Sequence, residues 1–334
     1  MAVPPGSHDC GIGGIASKFP VRGAASAEDM AMDETRVAWP TKQRELQSAK
    51  FDSAVWNDFT FRDDDVVIAT YEKAGTTWVQ QIVAQLIFQG ETGVDVPTIS
   101  PWLDMRLPPA SEKLTMLKAQ RHRRFLKTHL PVDALVYSPR AKYLYVGRDG
   151  RDVAWSLYNH LTSYTDAYLD QLNALPGWDG PPLRRPDGPA RAFFFEWMTR
   201  DGWPIGPFWD HVRGWWAIRD LPNLMLLHYA ALKADLPGEI RRVAEFLGIE
   251  VDPQHWPAII EHCSFGFMKA HAADFAPRRG SGFAGGADSF IHKGTNGRWR
   301  DVLSEAECGW YDDVAGRQLG QDCARWLQGG AVRA

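Results

Sequence analysis

A short apolar run, followed by a glycine-containing turn and a helical repeat, most constrains how this chain folds. Residues 66–70 read VVIAT, an uninterrupted apolar segment typical of a strand buried on both faces. Residues 71–78, YEKAGTTW, follow directly, and apolar side chains then recur with helical spacing from Val79 to Leu86. The segment is therefore predicted to form a strand, a tight turn and a helix.

The same arrangement recurs further along the chain. Apolar runs at Tyr143–Val146 and Asn223–Tyr229 are each followed by a helical pattern, and another short strand is predicted at Arg124–Thr128. Strands that alternate with helices predict an α/β fold, with a central, mostly parallel β-sheet in a single domain and helices on both faces. In such sheets ligands bind outside the carboxyl ends of the strands.

Composition narrows the classes of function. The chain has 334 residues, a net charge of −4 and a pI near 6.2. No global positive field is present to attract a polyanion, so no nucleic-acid partner is expected. No run approaches the length needed to cross a bilayer, so membrane insertion is not expected either. Four scattered cysteines and an N-terminus without a signal-peptide pattern indicate a cytoplasmic protein without a disulfide framework.

The sequence predicts an N-terminal arm and one large domain. Residues 1–50 are expected to form the arm, which is rich in small residues at its start and has a possible helix further on. Residues 51–334 are expected to form the domain, with an irregular insertion near 166–189 that contains several prolines and glycines. A dense set of aromatic residues follows the insertion, and the insertion is expected to help shape a pocket beside it.

The turn after the first strand has the chemistry of an anion site. Ala74 and Gly75 let backbone N–H groups approach a ligand closely, and the start of the next helix adds a partly positive end. Lys73 adds a charge, and Thr76 and Thr77 add hydroxyl donors, which together suit a phosphate group. The alternative is an ordinary strand-to-helix turn with a solvated lysine. The lysine precedes the glycine, so the Walker A pattern fails and no metal is expected.

Four segments resemble motifs of one family in order and spacing. YEKAGTTW closely resembles the 5′-phosphosulfate loop of the cytosolic sulfotransferases, with Glu72 in place of the usual proline. KTHLP at Lys127–Pro131 matches the catalytic segment, and YVGRDGRDVAWS at Tyr145–Ser156 matches the 3′-phosphate motif. HKGTNGRW at His292–Trp299 resembles the C-terminal signature. The resemblance covers most of the chain and implies the P-loop-like sulfotransferase fold.

The resemblance also implies roles for individual residues. The donor is expected to be 3′-phosphoadenosine 5′-phosphosulfate (PAPS), and the product 3′-phosphoadenosine 5′-phosphate (PAP). Lys73 and Lys127 match residues that stabilise the transferred group, and His129 matches the general base. The predicted nucleotide-binding residues are Lys73, Ala74, Gly75, Thr76, Thr77, Trp78, Arg148, Ser156, Tyr229, Ser264, Phe265, Met268, His292, Lys293 and Gly294.

Two departures from the family pattern leave questions open. His292 stands where the family has an arginine, which removes a permanent charge from the predicted phosphate site. The family's C-terminal dimer motif has no counterpart, so the oligomeric state is not predicted. The acceptor is expected to be a small phenol, lipophilic alcohol or amine. The alternatives are a nucleotide kinase or other phosphoryl transferase, and a nucleotide-binding protein without catalytic activity.

Overall fold

The computed structural model describes residues 38–203 and 205–329. Four strands run over Val66–Thr70 (β1), Phe125–Thr128 (β2), Lys142–Gly147 (β3) and Leu224–His228 (β4). The α-helices are Thr76–Ile87 (α1), Val96–Ile99 (α2), Ala110–Ala119 (α3), Gly150–Thr162 (α4), Asp166–Asn173 (α5), Ala190–Thr199 (α6), Phe208–Ala217 (α7), Tyr229–Ala234 (α8), Leu236–Leu247 (α9), Trp256–His262 (α10), Phe265–Ala270 (α11), Ala272–Phe275 (α12), Gly286–Phe290 (α13), Glu305–Leu319 (α14) and Gln321–Gly329 (α15). Short 3-10 helices cover Ser53–Asn57, Val132–Ala134, Pro253–His255, Pro277–Gly280 and Arg298–Asp301.

The four strands form one parallel sheet in the order β2-β1-β3-β4. In this register Val66 pairs with Phe125 on one side and with Lys142 on the other. All four carboxyl ends therefore lie at the same edge of the sheet. The predicted α/β class, with its central parallel sheet, is confirmed.

Alternate side chains of each strand pack into two separate cores. Val66 and Ile68 of β1 contact the core that α1, α8, α9 and α10 complete on one face. Val67 and Ala69 contact the second core, to which α4, α6, α7, α14 and α15 contribute. Because strand side chains alternate between faces, a continuous apolar run such as VVIAT supplies both cores at once.

Two local expectations differ from the structure. Asp166–Asn173 is a helix (α5) rather than irregular chain, because Thr165 caps its first turn and Leu169 and Leu172 are buried against the core. Residues 38–52 contain no helix, and the compact unit begins at Trp39 rather than at residue 51. Trp39 and Leu46 pack against the core, which explains why this stretch belongs to the compact unit. The rest of the predicted arm, residues 1–37, lies outside the described residues.

None of the described helices combines the length and the apolar character that a membrane-spanning helix requires.

Gly147 at the end of β3 tests how tightly the sheet packs against α15. A Cβ atom at this position would overlap the indole ring of Trp326, which is 1% exposed. We expect Gly147→Ala to lower the free energy of unfolding by about 1–3 kcal/mol, because overpacking forces neighbouring side chains out of their rotamers. Gly309→Ala in α14 is the matched control, since no atom lies within 4 Å of its added Cβ. Equal unfolding midpoints of the two variants in urea would contradict the packing account.

Candidate active site

One cavity of about 890 Å³ opens at the edge of the sheet where the four strands end. Each strand contributes a lining residue from its carboxyl end or from the segment that follows it. Lys73 follows β1, His129 follows β2, Arg148 follows β3 and Tyr229 follows β4. The parallel sheet therefore brings together residues that are far apart in the sequence.

Most of the predicted site residues line this single cavity. They are Lys73, Gly75, Thr76, Thr77, Trp78, Lys127, His129, Arg148, Ser156, Tyr229, Phe265, Met268, His292, Lys293 and Gly294. Two do not. The backbone N–H of Ala74 donates to the carbonyl oxygen of Tyr71 at 3.2 Å. The hydroxyl of Ser264 accepts from the N–H of Phe267 at 3.1 Å, so this side chain caps α11.

The turn between β1 and α1 has a backbone that few other sequences permit. Gly75 has φ of 117°, and a Cβ atom there would come within 2.9 Å of the Tyr229 ring. Lys73 has φ of 68°, an uncommon value for a residue with a side chain. Helix α1 begins at Thr76 without a side-chain cap. The N–H of Trp78 donates to the carbonyl oxygen of Gly75 at 3.0 Å, which leaves the N–H groups of Thr76 and Thr77 available to an anion.

Arg148 ties the end of β3 to this turn. Its Nη1 donates to the carbonyl oxygen of Lys73 at 2.9 Å, and its Nη2 donates to Oδ1 of Asn296 at 3.0 Å. The guanidinium group lies 4.0 Å from the ring centroid of Tyr229. Its Nε is buried and has no hydrogen-bond partner in the described residues. A buried guanidinium with a free donor fits a site for a negatively charged group.

Lys73 and Lys127, which line the cavity, have depressed pKa values, as does Lys113. Burial lowers the pKa of Lys73 to about 7, although the nearby carboxylate of Glu72 favours the charged form. Burial also lowers the pKa of Lys127 to about 8, although the carboxylate of Glu72 again favours the charged form. A negatively charged ligand would raise both pKa values, because an opposite charge stabilises the ammonium form. The site is therefore built to gain positive charge as an anion binds.

His129 is held in a defined orientation and tautomer. Its Nδ1 lies 2.8 Å from the carbonyl oxygen of Thr70, which can only accept a hydrogen bond, so Nδ1 carries the proton. Nε2 is then left as the proton acceptor. Burial, with the charge of Lys127, holds the pKa of His129 well below its ordinary value of 6.5. The imidazole is consequently neutral near pH 7 and able to accept a proton.

His160 belongs to the same site but was missed by the sequence interpretation. Its Nδ1 lies 3.4 Å from Nζ of Lys73, and its Nε2 lies 3.0 Å from the hydroxyl of Tyr164. Burial and the charge of Lys73 lower its pKa well below 6.5. One signal was present in the sequence: His160 lies four residues after Ser156, which places both on one face of α4.

Arg298 was missed in the same way. It lines the cavity, and its Nη1 lies 3.4 Å from Nδ1 of His292. Burial and the neighbouring charge of Arg298 lower the pKa of His292. A permanent positive charge is thus present beside the residue that replaces the family arginine. The available signal was the arginine within HKGTNGRW. Arg298 is six residues from His292 in the sequence, and only the intervening turn brings the two side chains together.

Another part of the cavity wall is largely aromatic. Tyr168 and Gln171 of α5 line it, which brings the predicted insertion to the cavity. Phe283 and Phe290 also line the cavity, and the centroid of the Phe283 ring is 5.6 Å from that of the Tyr164 ring. This part of the wall can surround an apolar molecule beside His129.

Comparison with protein families identifies the class to which this fold and site belong. The family described as "Sulfotransferase domain" matches residues 63–322. The chain therefore belongs to the sulfotransferase family, and it is an enzyme of that class rather than a kinase or a binding protein without activity.

Similar proteins with assigned names agree with this family. A glycolipid sulfotransferase of Mycobacterium tuberculosis is 33% identical over 286 residues, which cover 78% of this chain and 86% of the relative. Human sulfotransferase 1C2 is 29% identical over 285 residues, which cover 82% of this chain and 90% of the relative.

Solved structures with the same fold include complexes with PAP. A retinol dehydratase in complex with androsterone and PAP has a TM-score of 0.64 and 24% identity, covering 84% of this chain and 90% of that one. Mouse sulfotransferase SULT7A1 in complex with PAP has a TM-score of 0.63 and 22% identity, covering 82% and 90%. These similarities establish the shared fold.

The depressed lysine pKa values can be measured directly on the ligand-free protein. After reductive methylation with ¹³C, we expect one lysine signal, that of Lys73, to titrate at about 7 and two, those of Lys127 and Lys113, to titrate at about 8. Lys73→Arg should remove the signal at about 7, and Lys127→Arg should remove one of the two signals at about 8. Solvated lysines should titrate near 10.5, so a spectrum in which every lysine titrates there would contradict burial of these groups.

Proposed function

We propose that this enzyme transfers a sulfuryl group from PAPS to a hydroxyl group of a small acceptor with an apolar body. The observation that carries the proposal is the convergence of Lys73, His129 and Arg148 on one cavity at the ends of three neighbouring strands. Sulfuryl transfer needs an anion site, a general base and a cation near the leaving phosphate, and these residues supply all three.

The donor would occupy the part of the cavity between α1 and the C-terminal signature. The first-turn N–H groups of α1, with Lys73, would bind the 5′-phosphosulfate. Arg148 and Ser156 would bind the 3′-phosphate from one side, and Lys293 and Arg298 from the other. In this arrangement Arg298 takes over the charge that His292 does not supply.

The adenine base would lie against two aromatic residues of the cavity that contact each other. The indole Nε1 of Trp78 donates to the carbonyl oxygen of Cys263 at 2.7 Å, which fixes the ring at the start of α1. Its centroid lies 5.5 Å from that of the Tyr229 ring. Trp78 would stack on the base, while Tyr229 would contact its edge.

In the transfer step a bond forms between the acceptor oxygen and sulfur, while the bond from sulfur to the donor's phosphate oxygen breaks. Nε2 of His129 would accept the proton of the acceptor hydroxyl. The ammonium of Lys73 would offset the charge that develops on the leaving phosphate, and Lys127 would contact the transferred group. Main-chain and side-chain donors that are already in place need little reorganisation during this step.

The relatives indicate the range of acceptors to consider. Their names refer to a glycolipid in the mycobacterial relative, and to androsterone and retinol in the retinol dehydratase complexes. All of these molecules combine a large apolar part with an oxygen function. The aromatic wall formed by Tyr164, Tyr168, Phe283 and Phe290 supports an acceptor of this kind here.

Arg148 and Arg298 provide a test of the 3′-phosphate site. We expect Arg148→Ala and Arg298→Ala to weaken binding of PAP by about tenfold to hundredfold, because each loses a charge-assisted hydrogen bond. Binding of adenosine 5′-monophosphate, which lacks the 3′-phosphate, should change much less. Arg300→Ala is the control, since Arg300 is exposed and does not line the cavity. Calorimetric titration gives each constant, and equal losses for both nucleotides would refute the assignment.

His129 provides a test of the chemical step. We expect His129→Asn to lower kcat for sulfate transfer by about 100-fold to 10,000-fold while PAP still binds, because only the proton acceptor is lost. In the wild type, the acid limb of kcat/KM should lie below pH 6.5, since a lowered pKa keeps the imidazole neutral until the pH falls past it. Retention of most of the activity in the variant would remove His129 from the mechanism.

A further inference from the structure

A buried ion pair lies in the cavity wall, and none of the steps proposed above gives it a contact with the donor or the acceptor. Nζ of Lys50 donates to the two carboxylate oxygens of Glu72 at 2.8 and 2.6 Å. The two side chains are only 4% and 5% exposed, and both residues line the cavity. Glu72 precedes Lys73 directly, so this carboxylate lies within the turn that would hold the anionic donor.

A buried carboxylate is unexpected at a site that would bind an anion. Alone, it would repel a negatively charged donor, and Lys50 cancels that charge. Moving the two charges out of water costs several kcal/mol per ion, which is roughly the free energy that their attraction returns. A pair of apolar side chains at these positions would therefore leave the protein at least as stable. Stability therefore does not account for Lys50 and Glu72.

The ion pair lies near the general base as well as beside the turn that would hold the donor. The Lys50 ammonium is 5.4 Å from the ring centroid of Trp102 and 5.9 Å from that of Tyr164. The Trp102 ring in turn lies 4.6 Å from that of His129. An acceptor whose hydroxyl reaches His129 would therefore extend past Lys50 and Glu72.

The pair retains unused hydrogen-bonding capacity. An ammonium has three donors, and in the described residues that of Lys50 gives hydrogen bonds only to Glu72. An ionised carboxylate has about four acceptor sites, and Lys50 occupies two of those on Glu72. The pair as a whole is neutral, so it would not offset the charge of a charged ligand group. A hydroxyl group, which both donates and accepts, matches these properties.

We propose that Lys50 and Glu72 form an acceptor-binding site for a second, non-reacting hydroxyl group, next to the hydroxyl that faces His129. The acceptor class is then a glycoside or another polyol with an apolar tail, rather than a phenol or an alcohol with a single hydroxyl. The tail contacts the aromatic wall that includes Tyr164 and Phe283. This inference rests on the proposed sulfuryl transfer and specifies its substrate class.

The test compares two acceptors that share an alkyl chain, octyl β-D-glucoside and 1-octanol, with labelled PAPS as the donor. The wild type should have the higher kcat/KM for the glucoside. Lys50→Met/Glu72→Met removes both charges together and leaves neither one buried alone. We expect it to reduce kcat/KM for the glucoside by about tenfold to hundredfold more than for 1-octanol, because hydrogen bonds to charged groups are lost.

Two further variants make the comparison secure. Arg140→Gln/Asp63→Asn removes an exposed ion pair that does not line the cavity, and it should leave the ratio of the two kcat/KM values unchanged. If the double methionine variant does not fold, Lys50→Arg keeps the charge but changes the geometry of the pair, and it should also lower the preference for the glucoside. Equal losses for both acceptors, or no loss for the glucoside, would overturn the inference.

Calorimetric titration of the glucoside into the PAP-bound protein separates this inference from the function on which it rests. Wild-type protein that binds the glucoside, loses that binding in the double methionine variant and yet transfers no sulfate would overturn the proposed transfer but support the hydroxyl site. Transfer to 1-octanol without binding of the glucoside would overturn the hydroxyl site alone. If neither binding nor transfer is observed, both proposals are wrong.

Discussion

Parallel pairing of four strands is the constraint on which the site depends. Because every strand runs in the same direction, the segments after β1, β2, β3 and β4 all emerge at one edge of the sheet. The hydrogen bond from Arg148 to the carbonyl oxygen of Lys73 then links two of these segments and supports the strained backbone of the turn. Without this alignment, residues from four separate parts of the chain would not share a cavity.

The charge balance of the cavity follows from burial. Lys73 and Lys127 are buried with depressed pKa values, while His129 and His160 are held neutral. One of the buried carboxylates nearby, that of Glu72, is paired with Lys50. Depressed pKa values of this kind avoid the cost of several uncompensated buried cations. A polyanionic donor would supply negative charge, and its binding would restore the ammonium forms that the proposed chemistry requires.

Much of the fold and a large part of the candidate site were predictable from the sequence. The strands at Val66–Thr70 and near Tyr143 and Leu224 have local signals, namely short apolar runs before turns. The helix Asp166–Asn173 was missed because prolines and glycines further along the same stretch dominated its interpretation. Ser264 has the right residue type for a ligand contact, but it caps a helix instead, a choice that depends on the local backbone.

The amino-acid sequence alone determined the strand-turn-helix unit, the need for glycine at position 75 and the order of the four motifs, because these features depend on neighbouring residues. Tertiary structure alone decided which titratable side chains come into contact. Lys73 contacts His160 across 87 residues, and Lys50 pairs with Glu72 across 22. Depressed pKa values, the tautomer of His129 and the place of Arg298 beside His292 all require burial and contacts between distant segments, and no local pattern encodes these.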